Sequence, residues 1–151
     1  MAVPHPTEHP PEPPALDQHL CFRLYSTSLK MTQLYKPLLS AYGLTYPQYL
    51  VMVVLWQQDG LGVKDVAAAL QQDSGSVTPL VKRLEAQGYL SRGRDPRDER
   101  NRVLTLTAAG QQLRQAGVEV SAAIAQACAV SQAEFEDMMA GLDKLNRHLA
   151  R

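Results

Sequence analysis

Two cysteines, Cys21 and Cys128, and a run of arginines, Arg92, Arg94, Arg97, Arg100 and Arg102, are the residues of this chain best equipped for chemistry. A cysteine thiolate can be oxidised through sulfenic acid, or the side chain can fill a small apolar space. Two cysteines in 151 residues do not make the disulfide framework of a small secreted domain, so packing and redox chemistry are the two readings that stand. An arginine cluster either faces water or neutralises phosphate. Asp95, Asp98 and Glu99 are interleaved with these arginines, so some guanidinium groups pair within the segment and shape it, leaving Arg94 and Arg97 foremost for a nucleic acid. His19 and His148 have no metal-ligand spacing with the cysteines, and there is no phosphate loop, catalytic triad or paired-carboxylate motif. Neither metal nor cofactor is expected.

The charge is segregated. Ser74 to Arg102 holds seven Lys/Arg against four Asp/Glu, a net +3 inside a chain whose formal charge is zero. At 151 residues and 45% hydrophobic the chain suits one domain with a real core. Met1 to Pro14 contains six of the ten prolines and almost no aliphatic residue, so residues 1–14 are expected to form a disordered tail. No basic start followed by an apolar run marks a signal peptide, and the longest apolar run, Tyr49 to Trp56, is far below the ~20 residues of a membrane span. A soluble, cytoplasmic protein with no membrane partner is expected.

Stepping outward to the elements, Leu16, Leu20, Leu24, Met31, Leu34, Leu38 and Leu39 recur at helical spacing up to Tyr42-Gly43, with Pro37 expected to bend or divide the helix. Thr45 can cap a second helix, Tyr46 to Gln58, with Pro47 in its tolerant first turn and Tyr49, Leu50, Val53 and Val54 as its buried face. Lys64 to Gln71 reads as a short amphipathic helix, and Ser74 to Gln87 as another with Val77, Leu80, Val81 and Leu84 inward, closed by Gly88. Tyr89 to Arg92 and Arg102 to Leu106 alternate like strands around a polar loop, Gly93 to Asn101. Thr107 caps a long helix to about Val130, rich in small residues such as Ala116 and Ala123 that suit close helix contact. Ser131 with Glu134 forms a capping box for a last helix to Leu149.

Helix, turn, helix and hairpin in that order make a DNA-reading device, because a short helix fits the major groove with its N-terminal residues at base edges. The outward residues are Ser74, Ser76, Thr78, Pro79 and Lys82: hydroxyls for bases or phosphates, the Pro79 ring and Thr78 methyl for thymine methyls, Lys82 for a phosphate. The hairpin adds Arg92, Arg94, Arg97 and Arg100, suited to the negative potential of a narrow A·T-rich minor groove.

Ser74-Gly75-Ser76-Val77-Thr78-Pro79-Leu80-Val81-Lys82-Arg83-Leu84-Glu85, followed by Asp95-Pro96-Arg97-Asp98-Glu99-Arg100, resembles the recognition helix and wing of the MarR family of winged-helix repressors, over about Leu16 to Leu149. The resemblance implies a mainly α fold with a small β-hairpin wing. Within it, 46–106 would form the winged helix-turn-helix DNA-binding region of a unit spanning 15–151, and 15–45 and 107–151 the N- and C-terminal dimerisation helices. It also implies a homodimer on a pseudo-palindromic double-stranded DNA operator. Leu20-Cys21-Phe22 and Gly43-Leu44-Thr45-Tyr46-Pro47-Gln48-Tyr49-Leu50-Val51-Met52 further resemble the organic-hydroperoxide sensors called OhrR. That resemblance implies Cys21 as peroxidatic cysteine, Tyr35 and Tyr46 as hydrogen-bond donors to its sulfur, and control of a gene for a thiol-dependent hydroperoxide reductase. In the two-cysteine branch a second cysteine near Cys128 resolves the sulfenic acid as an intersubunit disulfide; simple packing in an alanine-rich helix stays open for Cys128.

The only close charge that its own helix offers Cys21 is Asp17, one turn earlier, an acid that does not activate a thiol. Along one straight helix Tyr35 would lie about 21 Å away at ~1.5 Å per residue, so a contact needs a bent chain or a second subunit, and the family implies the second subunit. Tyr25, Tyr42 and Tyr49 read as amphipathic core residues with a hydroxyl to water. The leading expectation is therefore a redox-sensing repressor, not an enzyme, released when organic hydroperoxide oxidises Cys21. Two alternatives are a MarR-type repressor released by a small aromatic or phenolic ligand, and a thiol peroxidase using Cys21 and Cys128.

Overall fold

The computed structural model describes residues 12–95 and 97–150, with 95 and 98–101 as backbone only. Of the expected tail, residues 1–11 lie outside the described residues. The described residues form six α-helices and a small antiparallel sheet, and the chain divides into two compact units, Met1–Gln33 and Leu34–Arg151.

In the N-terminal unit a 3-10 turn, Leu16–Gln18, precedes α1 (Leu20–Ser40). The helix was expected from Leu16, but His19 is extended (φ −84°, ψ 118°) and separates the two. The turn is tied down locally, Arg23 Nε donating to the Asp17 carbonyl at 2.9 Å and the His19 ring pairing with the Pro14 carbonyl at 3.0 Å. No described residue of this unit is buried, although Leu16, Leu20, Phe22, Leu24, Leu29 and Met31 are large and apolar.

Pro37 does not divide α1, which continues through it to Ser40. Its missing N–H falls in the last turn, where it removes one bond. The burial of Leu39 and the packing of Leu38 against the core carry the helix past it.

α2 (Tyr46–Gln57) starts at a full capping box, Thr45 accepting from the Gln48 backbone while the Gln48 side chain accepts from that of Thr45, an arrangement contributing about 1 kcal/mol. It is apolar all round, and the residues it buries are Gln48, Tyr49, Val51, Met52 and Leu55; Leu50, Val53 and Val54, expected on the buried face, are half-buried. Neighbours on both sides cover it, so there is no single stripe for periodicity to find. α3 (Val63–Ala69) buries Val66 and Ala67, and α4 (Ser74–Ala86) buries Val77, Val81 and Leu84 against the same core.

The sheet runs in the order β1-β3-β2, from β1 (Leu61–Gly62), β2 (Leu90–Asp95) and β3 (Asp98–Leu106). Leu61 pairs with Leu104, Leu90 with Leu106, and Arg94 with Arg102; the register shifts between Arg94 and Asp95. Most of the stretch expected as a loop, Gly93 to Asn101, is strand. Backbone pairing extends the hairpin where the sequence carries no alternating apolar pattern.

α5 (Ala108–Cys128) starts at Thr107, whose side chain accepts from the Gly110 backbone, and contributes Leu113, Val120 and Ile124 to the core. Ala116 packs against the core, and two glycines of this helix also make close approaches. A Cβ at Gly117 would sit 2.6 Å from the Trp56 ring, and one at Gly110 would collide with the Tyr89 carbonyl. α6 (Gln132–Leu149) has the Ser131/Glu134 capping box and buries no residue, although Phe135, Met138, Met139 and Leu142 share one apolar face at i, i+3, i+4 and i+7.

Candidate functional site

The reading surface is built on α4. Asp73 caps it, taking both the backbone N–H (2.7 Å) and the hydroxyl (3.2 Å) of Ser76, which leaves the Ser76 oxygen lone pairs outward as acceptors. Thr78 donates its hydroxyl to the Ser74 carbonyl at 2.8 Å, so its methyl is the part of the side chain free of that bond. With Val77, Val81 and Leu84 buried, Ser76, Pro79 and Lys82 are exposed, while Ser74 and Thr78 are half-buried. Arg83 is exposed beside them, which sequence reasoning left out. The signal was available: Ser76, Pro79 and Arg83 stand three and four residues apart on one helical face.

Among the described residues, the hairpin is tied to this helix by the ion pair of Arg92 with Glu85. Glu85 accepts from Arg92 at its backbone N–H (3.0 Å), Nε (3.2 Å) and guanidinium NH2 (3.1 Å). The hydrogen bonds from Arg92 hold the Glu85 carboxyl below its ordinary range. Arg92 thus braces wing against helix before any DNA arrives. Arg94 is exposed on β2, and Arg97 is exposed at the tip and engaged in an interaction of its own. The Arg100 side chain lies outside the described residues.

A second constellation gathers at the N-terminal end of α2. The Tyr35 and Tyr46 rings lie 4.6 Å apart, Tyr35 and Tyr49 5.7 Å, and Tyr46 and Tyr49 6.5 Å. Burial pushes the Tyr35 phenol above its ordinary 10.0, helped by Tyr46, Tyr49 and Cys128; burial and then Tyr49 do the same to Tyr46. Both remain protonated donors at neutral pH. Cys128, at the end of α5, is half-buried against the core and near enough for its charge to act on Tyr35. Cys21 is exposed in the first turn of α1, in the N-terminal unit.

Of the other tyrosines, Tyr49 lies in the core and Tyr42 packs against it, as expected. Tyr25 is 65% exposed, so it is no core residue in this chain. The Tyr49 hydroxyl does not go to water; it pairs with Ser121 Oγ at 3.0 Å and donates to the Gly117 carbonyl at 3.4 Å, tying α2 to α5. Trp56, a ring that sequence reasoning passed over, continues this line with its centroid 6.0 Å from that of Tyr49 and its Nε1 donating to the Gly110 carbonyl at 2.9 Å. A groove of about 340 Å³ beside these rings is lined by Tyr49, Val53, Trp56, Arg114, Val118 and Ser121. Among the described residues no cluster of three or more His, Cys, Asp or Glu could hold a metal, and no helix is long and apolar enough to cross a membrane.

Known proteins share this plan. The family described as "Transcriptional regulator SarA/Rot" matches residues 33–116. The organic hydroperoxide resistance transcriptional regulator of Bacillus subtilis is 43% identical over 109 residues, covering 72% of this chain and 74% of that protein. The regulator TtmR of Methylorubrum extorquens is 47% identical over 103 residues, 68% of this chain but only 53% of its own length. Among solved structures, overoxidised AbfR bound to DNA, a protein of Staphylococcus epidermidis, superposes with a TM-score of 0.75 at 33% identity, covering 90% of this chain and 95% of AbfR. AbfR in a disulfide-formed state matches with a TM-score of 0.62 at 34% identity, covering 89% of each chain. The chain belongs to the SarA/Rot family of MarR-like winged-helix transcriptional regulators, DNA-binding proteins that include the organic-hydroperoxide regulators.

Proposed function

We propose that the protein is a homodimeric repressor that leaves a pseudo-palindromic operator when organic hydroperoxide oxidises Cys21. The observation that carries this reading is the pair of protonated phenols, Tyr35 and Tyr46, held 4.6 Å apart beside Cys128. Phenol donors stabilise a thiolate, and losing that arrangement is a way to sense its oxidation. The similarity to a hydroperoxide-resistance regulator supports the same chemistry.

The Cys21 thiolate attacks the peroxide O–O bond. Sulfur takes one oxygen and is oxidised by two electrons to sulfenic acid, and the other oxygen leaves as alkoxide and is protonated to the alcohol. The Cys128 thiol then displaces water from the sulfenic acid to form a disulfide. A relative solved in a disulfide-formed state supports Cys128 as resolving residue. Dimerisation through 15–45 and 107–151 is supported by the uncovered apolar residues of α1 and by the Phe135, Met138, Met139 and Leu142 face of α6. In such a dimer Cys21 of one subunit meets Tyr35 and Tyr46 of the other. Ser74, Ser76, Thr78, Pro79 and Lys82 read the major groove, and Arg94, Arg97 and Arg100 approach the adjacent minor groove while Arg92 supports the wing.

Operator binding before and after one equivalent of cumene hydroperoxide tests the reading. Wild type is expected to release the DNA and Cys21→Ser to hold it; release by Cys21→Ser refutes it. The groove lined by Tyr49, Trp56 and Arg114 favours the second reading, release by a small aromatic or phenolic ligand, which Cys21→Ser would leave intact.

A further inference from the structure

The tyrosine cluster and the recognition helix are joined by a closed circuit of side-chain hydrogen bonds that neither reading of the chain has used. Gln48 is 2% exposed, the one buried polar side chain among the described residues. Its Oε1 takes the Thr45 backbone N–H at 2.9 Å and the Thr45 hydroxyl at 3.3 Å. Its Nε2 reaches across the chain and donates to Gln87 Oε1 at 3.2 Å, and Gln87 Nε2 donates in turn to the Gly43 carbonyl at 2.6 Å. One residue pair further along, the Tyr89 hydroxyl donates to the Tyr42 carbonyl at 2.8 Å. Gln87 is the C-cap of α4, and β2 begins at Leu90. The corner from Tyr42 to Thr45 is therefore fastened both to the end of the recognition helix and to the root of the wing.

A capping box does not demand this. Glutamate at 48 would accept from Thr45 as well as glutamine does, but it carries no N–H to offer Gln87. The amide at 48 is the part of the box that the cap leaves unexplained and the circuit uses. Tyr46 lies between Thr45 and Gln48 in the first turn of α2, so its ring cannot shift far without moving residues that hold Gln87. Gln48 is buried and its amide is bonded on both sides, so a displacement at its Thr45 end is passed on to Gln87.

We infer that Gln48 and Gln87 are positioning residues that carry a displacement of the Tyr46 end of α2 to the C-terminal end of α4, and so reset the angle of the recognition helix. The inference rests on the redox reading above, since oxidation supplies the displacement. Gln87 is exposed, so Gln87→Ala removes both arms of the circuit without opening a core cavity, and Gln87→Glu keeps the acceptor for Gln48 while losing the donor to Gly43.

The experiment measures operator affinity of the full chain, reduced and after one equivalent of cumene hydroperoxide, with Cys21 oxidation quantified by mass in the same samples. Gln87→Ala is expected to oxidise as wild type does, to bind DNA in the reduced state within about threefold of wild type, and to lose at least about tenfold of the oxidation-induced weakening. Gln87→Glu should fall between the two. A purely structural role would lower reduced-state affinity and leave the ratio of the two affinities unchanged, and that result overturns the inference. An oxidised wild type that keeps its operator removes the redox reading and this inference together; a normal wild type beside an equally responsive Gln87→Ala removes the inference alone.

Discussion

The reading surface and the tyrosine cluster are held by different means. On α4 the outward groups, Ser76, Pro79, Lys82 and Arg83, stand on a helix fixed from behind by Val77, Val81 and Leu84, and the wing is rooted by Leu90, Leu104 and Leu106 and braced by the ion pair between Glu85 and Arg92. At the N-terminal end of α2 the groups of the proposed sensor are themselves the packing: Tyr35, Tyr46 and Tyr49 lean on one another, and Cys128 packs against the core beside them. A surface of the first kind tolerates change in the groups that touch the ligand, because the fold does not depend on them. A site of the second kind couples any chemical change to packing, which is what a sensor needs.

The largest expected effect comes where the two regions share support. Gly117→Ala puts a methyl 2.6 Å from the Trp56 ring, behind Tyr49, and is expected to lower stability by about 1–3 kcal/mol in thermal unfolding. Because Trp56 is the single tryptophan of the chain, the displaced ring should also change intrinsic fluorescence. An unchanged melting temperature and spectrum would mean that this contact does not constrain α2 against α5.

Next in size, Arg94→Ala should weaken operator binding roughly tenfold and reduce its salt slope by about one, with no change in melting temperature. A loss of stability would show that the reading surface is packed like the sensor, and would erase the distinction. Smaller still is the effect of pH on the wing. Hydrogen bonds from Arg92 keep the Glu85 carboxyl below its ordinary 4.5, so the brace is fully present above that value and is lost as pH falls through the lowered one. Glu85→Gln should remove this acid-side dependence from wing chemical shifts and weaken operator binding only a few-fold.

The smallest effect is at high pH. The raised Tyr35 and Tyr46 values mean that folding favours their protonated forms, so this contribution is complete below about 10 and fades as pH rises through the higher folded values. Phenolate absorbance should show a component titrating above 10 that Tyr35→Phe reduces. A high-pH component unchanged in Tyr35→Phe would contradict a packed cluster.

Much of the reading surface was legible because its residues are constrained by local rules. Thr45, Thr107 and Ser131 are helix caps by type and spacing, and each caps its helix. The inward stripe of α4 follows from a period of 3.6, and three of its four members are buried. The rest depended on contacts between distant parts of the chain. β1 is two residues long and exists only because Leu61 and Gly62 meet β3. The outer hairpin has no alternation to read. Gly110 and Gly117 are indistinguishable in sequence from the alanines around them, yet they are where Tyr89 and Trp56 come close. Gln48 completes the capping box with Thr45, and its second arm, to a residue 39 positions away, has no local signature.

In the proposed function the reading surface is built within one chain, whereas the sensing chemistry would be completed by a second. The most direct measurement is non-reducing electrophoresis of wild type and Cys128→Ser after one equivalent of organic hydroperoxide, run beside operator binding on the same samples. The account predicts a covalent dimer that appears together with operator release in wild type and is absent from Cys128→Ser. A monomeric wild-type band in which Cys21 and Cys128 are nevertheless joined would contradict it.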